Sequence, residues 1–170
     1  MNLRDILVGV ATGIAVMCAI GWFHEHRELG MARQALVADT LDPIAEMLKE
    51  NEAISRELES GDYAEPGNDF VSAYLLKIRR DGVSKHADVK QRIDRVINNN
   101  TAILALLAKY STHARTPAFK ASAERFRDYA ISLRDRWQSL PEIYMAGGNL
   151  PATGPMFPED FSTALAAEAR

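Results

Sequence analysis

The sequence predicts an all-α protein: a single N-terminal transmembrane helix followed by a small antiparallel helical bundle with a proline-rich C-terminal tail. Three observations carry this. Residues Ile6 to Phe23 contain no charged side chain. Downstream, apolar residues recur at spacings of three and four and nowhere alternate at two over a useful length, which is helical periodicity. Pro151, Pro155 and Pro158 crowd the end of the chain, where a regular helix cannot hold them.

At 1.5 Å per residue, the uncharged run reaches roughly 27 Å as a helix, close to the ~30 Å hydrocarbon core of a bilayer. Trp22 stands at its edge, where an amphipathic ring suits the interface. A cleavable signal peptide is the competing reading, but bulky Trp22-Phe23 follow the only plausible cut. Lipid modification at Cys18 is disfavoured because Met17 occupies the place of a small residue. Gly9 and Gly13 form a small-xxx-small pair through which two such helices would pack, although glycine is also simply common in membrane helices.

The positive-inside count is nearly balanced, with Arg4 before the run and Arg27 and Arg33 after it, leaning slightly toward a cytoplasmic body. A five-residue tail before a first hydrophobic segment is instead the pattern of an uncleaved signal anchor. The expectation is therefore a single-pass protein of the plasma (inner) membrane with its body on the extracytoplasmic side. The only cysteine lies within the run, so no disulfide reports the redox compartment.

Three regions follow: an anchor at 1–24, a bundle at 25–146 and a tail with a short terminal helix at 147–170. Charge is unevenly spread. Residues 24–60 carry nine acidic and four basic groups, whereas 77–136 carry fourteen basic and six acidic, so an acidic helix lying on a basic pair would neutralise both. The first body helix carries Leu36, Leu41, Ile44, Leu48, Ile54 and Leu58 to a stop at Gly61. Asp42-Pro43 either kinks it or starts a new helix.

After a loop around Pro66-Gly67, Asn68 or Asp69 caps a short helix presenting Phe70, Tyr74, Leu75 and Ile78. Asp81-Gly82 turns the chain, and Ser84 is a candidate cap for a helix with Val89, Ile93, Val96, Ile97, Ile103, Leu104 and Leu107 on one face. Thr116-Pro117 is the clearest start signal: a capping hydroxyl followed by proline at the first helical position. Phe119, Ala123, Phe126, Ala130, Leu133, Trp137 and Leu140 then make a heptad-like stripe. Leu140-Pro141 ends or bends that helix, and Gly147-Gly148 closes it. The tail should lie extended with Leu150, Met156 and Phe157 in a groove, and a last helix begins near Pro158, where Phe161 meets Leu165.

No pattern in the body carries catalysis. There is no Gly-x-Ser-x-Gly, no glycine-rich phosphate loop, and no His-Glu-x-x-His or Glu-x-x-His. His24 and His26 are two apart and cannot share a helical face, while His86 and His113 fall at helix ends. No enzyme, metal or cofactor is expected.

Three features remain as candidate sites. Arg79, Arg80, Arg92 and Arg95 make a basic group that would meet an anionic ligand or lipid headgroup, although interspersed aspartates favour a salt-bridged surface. Asn100 falls on an apolar face, so its amide must find partners in the core, where such a residue often fixes register. Phe157 is the tail residue expected to dock.

The functional expectation is a membrane-anchored interaction module, an accessory, scaffold or sensor-like subunit without catalytic activity, whose partners are the lipid bilayer and a protein or a second copy. Nucleic acid is not expected. Two alternatives are a phage-type lysis or envelope-spanning protein, against which Pro43, Pro66 and Gly82 argue by interrupting a stalk, and a cofactor-binding helical bundle.

Overall fold

The computed structural model describes the backbone of residues 3–60, 69–151 and 154–170, and side chains from Arg27 onward except 59–60, together with Met17, Trp22, His24 and Glu25. The chain is all-helical, with five α-helices and no strand among the described residues: α1 (Leu3–Ser60), α2 (Phe70–Asp81), α3 (Ala87–Tyr110), α4 (Pro117–Met145) and α5 (Phe161–Glu168). Two compact units divide it, Met1–Asp39 and Thr40–Arg170.

In the first unit, α1 presents exposed Leu29 and Met31, and His24 Nδ1 lies 3.3 Å from Glu28. Among the described residues no helix is long and apolar enough to cross a membrane. Most side chains of the Ile6–Phe23 run lie outside the described residues, as do those of Gly9 and Gly13.

The second unit is a helical bundle. Its helices start and stop where local chemistry dictates. Asp69 caps α2 by accepting from Val71 N (3.0 Å) and Ser72 N (3.2 Å), satisfying two amides that have no helical partner. Gly82, at φ +88°, ends that helix with its N–H on the Ile78 carbonyl. Thr116 caps α4 through Phe119 N at 3.2 Å, with Pro117 in the first turn. At the far end of α4, Gly148 N reaches Ile143 O (3.1 Å) and Gly147 N reaches Tyr144 O (3.2 Å), with Gly147 at φ +69°; this is the Schellman closure that a left-handed glycine permits.

Two expectations are corrected. Ser84 caps nothing: Val83–His86 forms a 3-10 turn, and α3 begins at Ala87. Of the alternatives open at the two prolines, the continuous helix is the one observed: Pro43 lies inside α1, and Pro141 lies inside α4, which continues to Met145. Helices tolerate an internal proline when packing elsewhere outweighs one lost hydrogen bond and the ring's clash. Met156 is 85% exposed rather than tucked into a groove, whereas Leu150 packs on the core. The expected stop at Gly61 and the loop at 62–68 fall outside the described residues.

Pairings fix the directions. Glu50 meets Arg95 and Glu57 meets Arg92, so α1 runs opposite to α3. Trp137 meets Asp94 and Tyr110 meets Phe119, so α3 also opposes α4. Arg136 meets Asp69 and Arg79 meets Ile143, so α2 runs alongside α4 in the same sense. Thus α2, α3 and α4 alternate, while α1 shares its direction with α2.

One apolar cluster joins Leu58, Val71, Tyr74, Leu75, Ile78, Val89, Ile93, Val96, Ile97, Leu133 and Leu140. Trp137 borders it, its indole 5.4 Å from Tyr74, its Nε1 donating to Asp94 Oδ1 at 2.8 Å, and Lys90 above its ring. A second, aromatic group links α3, α4 and the tail: Phe126 stacks on Phe161 at 4.5 Å, Tyr110 meets Phe119 edge-on at 5.8 Å, and Phe157 stands edge-on to Tyr129 at 5.4 Å. Edge and offset geometries of this kind add to the burial each ring already supplies.

Candidate functional site

The second unit holds a half-open cavity of about 1140 Å³, between the later part of α1, α3, Tyr129 of α4, and the tail with α5. Leu41, Leu48, Val96, Phe157 and Leu165 supply apolar walls. Asn51, Asn100, Tyr129 and Asp69 bring polar groups to the same space.

These polar groups belong to a directional chain. Asn99 Nδ2 donates to Glu50 Oε2 (2.8 Å) and to Asn51 Oδ1 (3.0 Å); Asn51 Nδ2 donates in turn to Asn100 Oδ1 (2.9 Å). Arg95 Nε completes Glu50 at 2.9 Å, and Asn99 and Arg95 together hold that carboxyl below its usual range. The series ends on Asn100 Nδ2, which is buried and makes no hydrogen bond of good geometry, with the Tyr129 phenol oxygen beside it. Asn100 is only 2% exposed, so this donor is one that water cannot readily satisfy. The Asn100 amide also acts on the Tyr129 phenol, favouring its ionised form. Burial acts more strongly in the opposite direction, Asp69 adds to it, and the phenol is pushed up to about 12.

Asp69 is itself fully engaged. Besides capping α2 it accepts from Ser72 Oγ (3.1 Å) and Arg136 Nη2 (2.7 Å), and Arg136 also donates to Ser72 Oγ (2.6 Å) and the Pro151 carbonyl. Gly154 lies against this carboxylate: a Cβ there would stand 2.6 Å from Asp69 Cγ.

The sequence-predicted residues distribute as follows. Asn100 lies where the apolar stripe aimed it, with Asn51 as its partner. Phe157 packs edge-on against Tyr129 and Phe126 while remaining 38% exposed, and lines the cavity. The four arginines do not form one patch. Arg79 donates to Asn149 Oδ1 (2.9 Å) and to the Ile143 and Gly148 carbonyls; Arg80 chelates Asp81 (2.9 Å); Arg92 and Arg95 pair with Glu57 and Glu50 (2.8 and 2.9 Å). Arg80, with His86 at 3.2 Å, brings Asp81 down to about 2. The acidic α1 segment thus lies on basic α3, as the uneven charge implied.

Sequence reasoning missed Asn51, Asn99, Tyr129, Arg136 and Glu168. Asn99 stands beside Asn100 in a run of three asparagines, and that run was the only signal pointing to a polar core contact. Arg136 and Glu168 carried none, because their partners lie 67 and 52 positions away.

Among the described residues no group of three or more His, Cys, Asp or Glu is arranged to hold a metal ion. Comparison with protein-family models, curated proteins and solved structures finds no match to this chain.

Proposed function

We propose that this chain is a non-catalytic interaction module, anchored in the plasma (inner) membrane by one helix spanning Ile6 to Phe23, with its bundle on the extracytoplasmic side. The observation that carries the anchor is the uncharged run itself, which as a helix reaches nearly the full thickness of the hydrocarbon core. The absence of a catalytic role is supported by how the body's polar groups are used: Arg79, Arg92, Arg95, Arg136, Asp69, Glu50 and Glu168 tie one element to another. Because Arg79, Arg80, Arg92 and Arg95 are engaged within the chain, the partner favoured is a protein or a second copy, not an anionic headgroup. Gly9 and Gly13 supply the spacing for a helix pair within the bilayer.

Membranes from cells making the full-length chain with a C-terminal reporter test this directly. Retention after alkaline carbonate washing, with a reporter active only outside the cytoplasm and a cross-linked species in the membrane, is expected. Release into the wash with a shortened N-terminus would overturn it.

A phage-type lysis or envelope-spanning role gains from one observation: Pro43 does not end α1, so one of the interruptions counted against it is gone. Abrupt loss of culture turbidity on induction would establish that reading, and steady growth would dismiss it.

A further inference from the structure

We propose that the cavity between α1, α3, Tyr129 and α5 binds an uncharged amphiphile, an alkyl chain carrying an ester-type carbonyl, with Tyr129 and Asn100 receiving the carbonyl oxygen. This does not rest on the membrane anchor.

Size and lining come first. A cavity of about 1140 Å³ lies just above the usual size of small-molecule sites, which typically combine apolar walls with a few converging polar groups. The polar groups here are of the donor kind. The amide chain from Asn99 through Asn51 spends its acceptors internally and ends on Asn100 Nδ2, which is turned to the Tyr129 phenol without closing a hydrogen bond of good geometry. Tyr129, whose hydroxyl feels that amide, stays protonated across the physiological range and offers a second donor at the same wall. The carboxylate that acts on Tyr129, Asp69, is occupied by Arg136, Ser72 and the start of α2. An acceptor atom is therefore what would complete the Tyr129 hydroxyl and the neighbouring Asn100 amide.

Charge at the rim argues for a neutral molecule. Lys49 and Arg56 border the opening, but Lys49 pairs with Glu46 at 2.9 Å and Arg56 with Glu52, while Asp42 and Glu159 add further negative charge. No net positive field is left to hold an anionic head. Apart from Asp69 and the tail residues Pro155, Phe157 and Glu159, the walls are helix surfaces whose backbone amides are already bonded along their helices. A peptide would bring a polar group every residue and leave most of them unpaired, at a cost an alkyl chain does not incur.

Native mass spectrometry of the full-length chain, in a tetraethylene glycol octyl ether detergent that itself lacks a carbonyl, tests this with 1-monopalmitoylglycerol and its ether analogue 1-O-hexadecylglycerol. A saturable one-to-one adduct with the ester, and about tenfold weaker binding of the ether, is expected from the loss of one buried hydrogen bond. Tyr129→Phe should bring the ester to the ether's level and leave the ether unchanged, since the ring contacts with Phe126 and Phe157 survive. Ala45→Phe, filling the cavity from α1, should remove both adducts; Ala166→Trp does so from the opposite wall if the first variant does not fold. Equal binding of ester and ether, tighter binding of palmitate than of its ester, or unsaturable adducts indifferent to the filling variants would each overturn the proposal.

Discussion

Glu168 closes on Thr116 twice, accepting its backbone N–H at 3.1 Å and its hydroxyl at 2.8 Å, across 52 residues of sequence. The same carboxylate takes the Arg115 N–H at 2.7 Å and the Tyr110 hydroxyl at 3.2 Å. Glu168 is 1% exposed and answers the unpaired amides just ahead of α4, where the helix dipole also favours negative charge. Burial opposes its ionisation. The donors of Arg115, Thr116 and Tyr110 outweigh that and hold its pKa below the ordinary value.

Glu168→Gln keeps the shape and loses the charge. It should cost about 2 kcal/mol in urea unfolding of the full chain, because charge-assisted bonds to four donors become weaker or are lost.

The depressed pKa of Glu168 also sets a pH dependence. Its stabilisation is complete above the unfolded carboxyl value of about 4.3 and is lost as pH falls through the folded value. Unfolding midpoints of the parent should fall steeply below about pH 4.3, and those of Glu168→Gln less so. Parallel curves for the two proteins would show that the carboxylate is not the group responsible.

Arg136→Met strands Asp69 against the start of α2. Both side chains are largely buried, at 9% and 16% exposure, so removing one partner should destabilise by about 3 kcal/mol, the usual penalty for an uncompensated buried charge. Calorimetric melting of the variant, beside Asp69→Asn and the double variant, would separate the pair's coupling from the lost cap.

Gly154→Ala needs room that is not there, because its Cβ would fall 2.6 Å from both Asp69 Cγ and Oδ2 and 2.9 Å from Asp69 Cβ. Pushing that carboxylate off Arg136 should cost about 1 to 3 kcal/mol. In an Asp69→Ala background the cost should shrink, and a thermal shift of equal size in both backgrounds would refute the contact.

Asn51→Ala and Asn100→Ala share one hydrogen bond, so their effects should not add. A double-mutant cycle should return a coupling of about 1 kcal/mol, read from denaturant midpoints.

What was legible in the sequence was local. The Thr116-Pro117 start, the Asp69 cap, the stop at Gly147-Gly148 and the stripe from Phe119 to Leu140 follow from periodicity and capping chemistry within a few residues, and each stands in the fold. The acidic face of α1 on the basic α3 was also readable, because opposite charge densities along two helices leave few other arrangements. The cavity was not. Its polar wall unites Asn51, Asn100 and Tyr129 from three helices, and no spacing along one helix encodes such a meeting. The arginines misled for a related reason: Arg79 finds the Ile143 and Gly148 carbonyls, backbone acceptors that side-chain patterns do not display.

Trp137 gives the second unit its own spectroscopic gauge. Of the chain's two tryptophans, Trp22 belongs to the first unit, so Trp137 alone reports on residues 40–170. Its indole is anchored to Asp94 and faces Tyr74 at 5.4 Å, close enough for tyrosine excitation to emerge as tryptophan emission. Separation of α2 from α4 would end the transfer from Tyr74, and separation of α3 from α4 would redden the Trp137 emission; a Trp22→Phe background keeps the N-terminal segment out of both signals.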